Sequence, residues 1–153
     1  MTRQNELVTE PEPLNYTGYL VRRSQQRHVA VWQREVSGSI SSVQFGVLAV
    51  LARRPGASQR ELGDELDLDR STIADLVARL QRNGLLRRER HGADRRRNAL
   101  ELTEEGRSEL ERLRPRVDLV ERALTDGLGE RDREELRRLL HRLLADRSSP
   151  DAV

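Results

Sequence analysis

Between Ser58 and Gly84 the chain carries two short helices with their start and stop signals written into them, and no other stretch of its 153 residues constrains the fold as tightly. Ser58 followed three residues later by Glu61 is a capping box, in which hydroxyl and carboxylate each satisfy an orphan backbone donor; it predicts a helix over Gln59 to Leu66. Asp69 is the next N-cap. It opens a helix over Arg70 to Asn83, with Ile73, Leu76, Val77 and Leu80 on one face and Gly84 supplying the left-handed C-terminal cap. A tight turn around Asp67 and Leu68 separates the two. This is helix-turn-helix spacing, in which the first helix supports the second and the second presents its N-terminal, outward residues to the major groove of DNA.

The flanking segments read as further helices and one hairpin. Leu14 to Val36 suits a long helix with a narrow apolar stripe through Leu20, Val29, Val31 and Trp32. Ser37, Gly38 and Ser39 break it, and Ser41 or Ser42 caps a second helix over Val43 to Arg53, apolar nearly all round and therefore central. After the two short helices, Leu85 to Arg90 and Asn98 to Leu102 flank His91-Gly92-Ala93-Asp94, a hairpin with an Arg-rich tip and Leu86 with Leu100 or Leu102 on a shared buried face. Thr103 caps a helix carrying Leu110, Leu113, Val117, Val120 and Leu124, and a last helix runs from Glu130 to Ala145 with Leu136, Leu139, Leu140, Leu143 and Leu144. The expected class is mainly α with a small β-hairpin wing. Its parts are a flexible leader (1–13), an N-terminal dimerisation helix (14–40), a winged helix-turn-helix lobe (41–103), C-terminal dimerisation helices (104–147) and a flexible tail (148–153).

Only 35% of the residues are apolar and another 35% are charged, so the narrow stripes on the terminal helices need burial that one chain cannot supply. A second copy is the simplest source. The net charge is only +2, yet all 28 cations are Arg, and the segment 70–97 holds nine of them against Asp75, Glu89 and Asp94. A nearly neutral chain that concentrates cation in this way has the footprint of a polyanion binder, or of a solvated basic surface; an all-Arg chain also fits biased codon composition. Without Cys there is no disulfide, thiolate zinc site or thiol switch. His28, His91 and His141 stand too far apart for metal-ligand spacing, and no Gly-rich phosphate loop occurs, so neither an enzyme nor a cofactor is expected. The longest uncharged run, Val36 to Ala52, is too polar to span a bilayer, and Met1 to Pro13 is acidic rather than signal-like, so a cytoplasmic protein without membrane contact is expected.

The order of elements resembles the MarR (multiple antibiotic resistance regulator) family of winged helix-turn-helix transcription regulators over roughly Leu14 to Leu144. The segment from Asp94-Arg95-Arg96-Arg97 through Leu102-Thr103 to Gly106 is similar to that family's wing signature. Leu68-Asp69-Arg70-Ser71-Thr72-Ile73 before Leu80-Gln81-Arg82-Asn83-Gly84 is similar to its recognition helix. The resemblance implies a homodimer with interleaved terminal helices, bound to double-stranded DNA at a palindromic operator whose half-sites lie roughly 34 Å apart. It also implies wings in the flanking minor grooves, and a regulator, expected here to be a repressor.

On the recognition helix Arg70, Ser71, Thr72, Asp75 and Arg79 lie off the apolar face and are the candidate DNA readers, with capping as the other role open to Ser71. Asp75 is expected to orient a neighbouring Arg, or else to accept from cytosine. In the wing, Arg88, Arg90, Arg95, Arg96 and Arg97 are candidates, with Arg96 matching the signature Arg and Asp94 as a brace. Family members also resemble one another in releasing DNA to a small aromatic or anionic ligand. All four aromatic residues precede residue 46, so Tyr16, Tyr19, Arg22, Arg23, His28, Trp32 and Phe45 are the candidate effector lining; plain core and interface packing is the other reading. The competing function is a winged-helix adaptor for other proteins, favoured if Glu61, Asp64, Glu65, Asp67 and Asp69 spoil the basic face.

Overall fold

The computed structural model describes residues 13–36, 38–90 and 98–145. Among them, six α-helices and one two-stranded sheet follow in the order α1 (Thr17–Glu35), α2 (Ser42–Arg53), α3 (Gln59–Leu66), α4 (Arg70–Arg82), β1 (Leu86–Arg90), β2 (Asn98–Leu102), α5 (Glu104–Leu124) and α6 (Glu130–Ala145). The leader and tail expected at the two ends fall largely outside the described residues. Leu14 does not begin α1: Pro13–Asn15 form a 3₁₀ turn and Tyr16 is extended (φ −66°, ψ 135°), so the helix starts at Thr17.

The caps decide the remaining boundaries. Ser41, not Ser42, is the N-cap of α2: its Oγ accepts from Gln44 N at 3.2 Å while Gln44 Oε1 accepts from Ser41 N at 2.9 Å. Ser58 and Glu61 make the same reciprocal pair at the start of α3. Asp67 closes α3 in the left-handed region (φ 52°), which an Asp tolerates because its short polar side chain can bond locally.

α2 lies at the centre, packed against α3, α4, α5 and β2. Its Val47, Leu48 and Leu51 share one core with Leu62, Ile73, Val77, Leu80, Leu86, Leu100, Leu110 and Leu113. Each fully buried aliphatic side chain there stabilises the lobe by about 1.5–3 kcal/mol. Val31, Trp32 and Val36 tie α1 to the same core, and Trp32 Nε1 donates to Ile40 O at 2.9 Å, which fixes the connection into α2.

The hairpin is in the register Leu86↔Leu102, Arg88↔Leu100 and Arg90↔Asn98. Leu86, Leu100 and Leu102 point into the core as the alternation predicts. β2 also bonds backward to the chain ahead of α3: Gly56 N donates to Leu100 O (2.9 Å) and Leu100 N to Ala57 O (3.0 Å). That pairing anchors the base of the wing to the entrance of the helix-turn-helix. Local sequence gives no sign of it, because the partners lie more than forty residues apart.

Thr103 and Gly106 lock the hairpin to α5. Thr103 Oγ1 donates to Gly84 O (2.6 Å) and accepts from Gly106 N (3.0 Å), while Thr103 N donates to Leu85 O (3.2 Å). The chain passes so close at Gly106 that an added Cβ would lie 1.9 Å from Leu85 O.

α6 buries none of its residues within the chain. Leu136, Leu139, Leu140 and Leu143 of α6, with Leu20 and Val21 of α1 and Leu124 of α5, line an open apolar groove of about 710 Å³. No described helix is long and apolar enough to cross a membrane.

Candidate nucleic-acid interface

α4 has two unlike faces. Ile73, Val77 and Leu80 are buried; Arg70, Ser71, Asp75, Arg79 and Arg82 are exposed, and Thr72 is half-buried. Arg70, Arg79 and Arg82 are exposed at different angles around α4, and none makes an ion pair with any described residue.

The first turn of α4 is organised by Asp69. Its carboxylate accepts from Thr72 N (2.7 Å), Ser71 Oγ (2.8 Å) and Thr72 Oγ1 (2.8 Å). These donors, led by the backbone amide of Thr72, lower the Asp69 pKa to about 2. A carboxylate depressed in the folded state stabilises the protein above its unfolded pKa near 3.8, and the contribution is lost as pH falls through about 2. Asp69→Asn, which keeps a good N-cap, is therefore expected to flatten the acid limb of the stability profile between pH 4 and 2. Thermal melts of both proteins across that range check it, and parallel profiles would contradict it. Ser71, then, does share in the capping arrangement, through its bond to Asp69.

Asp75 is exposed, and among the described residues no Arg forms an ion pair with it. The residue sits on the outward face, where the Arg side chains nearest in sequence extend into solvent instead.

Strand alternation puts Arg87 and Arg88 on opposite faces of β1. Arg87 pairs with Glu89 (2.7 Å) and Glu101 (3.2 Å). Arg88 shares its face with Leu86, and its guanidinium donates to Gln81 Oε1 at 3.2 Å and to Gln59 Oε1. It thus clamps the wing to the first residue of α3 and the last turn of α4. Gln59 and Gln81 carry this clamp, and no local sequence signal points to them. Arg90 is described only through its backbone pairing with Asn98; Asp94, Arg95, Arg96 and Arg97 lie outside the described residues.

The acidic cluster does not spoil the basic edge as a block. Glu65 pairs with Arg54 (2.8 Å) and with Arg53, and Glu61 caps α3 while lying 3.8 Å from Arg54. Two of the five acids therefore join α3 to the end of α2, and Asp69 is engaged by its hydroxyls.

The expected effector lining divides in two within one chain. Tyr16 is exposed, and Tyr19 lies beneath Arg22 and Arg23, whose centres are 5.2 and 5.9 Å from its ring; Arg23 Nη1 donates to Tyr19 Oη at 3.0 Å. His28, Trp32 and Phe45 form a second group, with successive ring centroids 6.0 Å apart. Tyr19 and His28 are nine residues apart on one helix, roughly 13 Å along its axis. A cavity of about 450 Å³ lies between the end of α1, the 38–42 connection and α4. Trp32 is the one sequence candidate for the effector that lines it; Gln44 and Arg79 line it too.

Comparison with known proteins bears on the whole arrangement. Residues 39–97 match the model of the MarR family. The transcriptional regulator HosA of Escherichia coli is 30% identical over 130 residues, covering 85% of this chain and 96% of HosA. The PcaV transcriptional regulator of Streptomyces coelicolor, solved with its natural ligand, superposes with a TM-score of 0.84 at 36% identity, over 92% of this chain and 99% of PcaV. BpsR of Bordetella bronchiseptica, whose DNA binding is regulated by 6-hydroxynicotinic acid, gives 0.82 at 27% identity, over 88% of this chain and 96% of BpsR. A helix-turn-helix packed on one side with exposed arginines on its second helix, a wing rooted beside it and likeness along nearly the full length of such regulators place this chain in the MarR family of DNA-binding transcription regulators.

Proposed function

We propose that the protein works as a cytoplasmic homodimer that represses transcription by occupying a palindromic operator and leaves it when a small aromatic or anionic ligand binds. The observation that carries this reading is the exposed part of α4, where Arg70, Arg79 and Arg82 have no described ionic partner while Ile73, Val77 and Leu80 are buried in the core. In this reading Arg70 and Arg79 contact guanine or phosphate. Asp75, which pairs with no Arg among the described residues, accepts from a cytosine amino group. Ser71 and Thr72 give their hydroxyl protons to Asp69 and turn lone pairs outward. Arg88 acts by setting the angle of the wing, and Arg90 and Arg95 to Arg97, braced by Asp94, reach the minor groove. The open apolar groove on α1, α5 and α6 supports the dimer, and ligand-regulated DNA binding in BpsR supports the release step.

Selection of bound sequences from a random duplex pool tests the central claim. Enrichment of an inverted repeat supports it; absence of duplex binding even at low salt favours the adaptor. Within the wing, Arg96→Ala is expected to weaken operator binding and to lower the salt slope by about one, the change produced by losing a single phosphate contact. Mobility-shift titrations at several salt concentrations read both quantities, and an unchanged slope would remove Arg96 from the interface.

A further inference from the structure

We propose that Gln59 and Gln81 are positioning residues for DNA binding: their side-chain oxygens hold the Arg88 guanidinium in one orientation without cancelling its charge, so that its free end meets a backbone phosphate between the two grooves. The inference rests on the reading of the chain as a DNA binder, and it gives Arg88 a contact beyond setting the angle of the wing.

The neighbouring arginines of β1 are held by opposite chemistry. Arg87 lies between the carboxylates of Glu89 and Glu101, at 2.7 and 3.2 Å, which cancel its charge. Arg88 turns to the other face, donates to Gln81 Oε1 at 3.2 Å and to Gln59 Oε1, and forms no ion pair with any described residue. An amide oxygen accepts a hydrogen bond but carries no net charge. Arg88 therefore stays a full cation although it is fixed at two points.

The donor count shows which end of the group is left over. A guanidinium donates through five N–H bonds, one on Nε and two on each Nη. Nε is engaged by Gln81 and one hydrogen of Nη2 by Gln59, and these two nitrogens share one side of the planar group. Both hydrogens of Nη1 and the second of Nη2 remain, and they include the end-on fork that matches two oxygens of a phosphate. The Arg88 side chain is exposed, so this fork is open to a ligand.

Three elements converge on the group: Gln59 is the first residue of α3, Gln81 lies in the last turn of α4, and Arg88 is the middle residue of β1. With α4 in the major groove and the wing in the flanking minor groove, the sugar–phosphate strand that separates the grooves runs between α4 and the wing, where Arg88 bridges them. A cation already held at that crossing has little freedom left to lose on binding.

Substitution separates charge from position. Gln81→Glu keeps an acceptor for Arg88 Nε and adds a carboxylate, so it should melt within a few degrees of the parent. It should nevertheless bind a duplex enriched from the random pool about tenfold more weakly, with the salt slope lowered by about one for each protomer bound. Gln81→Met releases the guanidinium but leaves its charge, so affinity should fall while the slope holds. Gln59→Glu and Gln59→Met should follow their counterparts. Arg88→Gln should lower the slope as Gln81→Glu does, and once Arg88 is gone Gln81→Glu should change affinity by less than roughly threefold, because the charge it cancels is absent. Mobility-shift titrations of each protein at several salt concentrations, with thermal melts alongside, read these quantities. An unchanged slope in Arg88→Gln, equal slopes in the Glu and Met variants, or a Gln81→Glu penalty as large without Arg88 as with it overturns the proposal and leaves the DNA reading in place. A wild type that binds no duplex even at low salt sinks that reading and this proposal together.

Discussion

Gly106→Ala is expected to destabilise the protein by at least about 3 kcal/mol, at or beyond the usual upper end for overpacking, and to lower the melting temperature on the order of 10 °C. The obstacle is backbone: the new methyl would sit 1.9 Å from Leu85 O and 2.9 Å from Leu85 C. No rotamer relieves such a contact, and Leu85 cannot withdraw freely, because its N–H donates to Leu80 O and its carbonyl accepts from Thr103 N. Separation must therefore cost the cap of α5, the link from α4 to the hairpin, or both. Gly127→Ala, where nothing lies within 4 Å, is the control and should change little. Urea or thermal denaturation of the three proteins decides the matter, and a Gly106→Ala midpoint equal to that of the control would show that the crossing is not rigid.

That position shows what kind of information a sequence yields unaided. Elements defined by bonds within a few residues are legible: the Ser58–Glu61 pair predicts α3 over Gln59 to Leu66, as found, and alternation from Leu86 and Leu100 gives the observed buried face of the hairpin. Gly106 belongs to a recognisable signature, but its reason, the nearby carbonyl of Leu85, appears only in three dimensions. The same holds for Arg88, readable as a wing cation yet held by Gln59 from 29 residues away. Trp32 and Tyr19 share a clustering in sequence that their separation along α1 undoes. Gln44 is the instructive miss. Its spacing from Ser41 marks a cap, whereas the orphaned Nε2 follows from burial, which only the folded chain shows.

The largest functional effect is expected far from the reading helix. Leu139 and Leu143 on α6 are 46% and 55% exposed within one chain, so in the proposed dimer roughly half of the ~1.5–3 kcal/mol for full burial of each would be gained against a second copy. In a two-fold pair each side chain counts twice. Replacing both by Gln therefore removes about 3–6 kcal/mol from the dimer, or roughly two to four orders of magnitude in its dissociation constant. Gln leaves the net charge at +2, so any loss of DNA affinity cannot be charged to electrostatics. The double variant is expected to sediment as a monomer at micromolar concentration and to bind operator at least a hundredfold more weakly, since a lone lobe forfeits the effective concentration that tethering two half-sites provides. Arg131→Gln, on an exposed position of the same helix, should do neither. A double variant that stays dimeric would place the interface elsewhere, and a monomer with full operator affinity would mean that one lobe suffices for recognition.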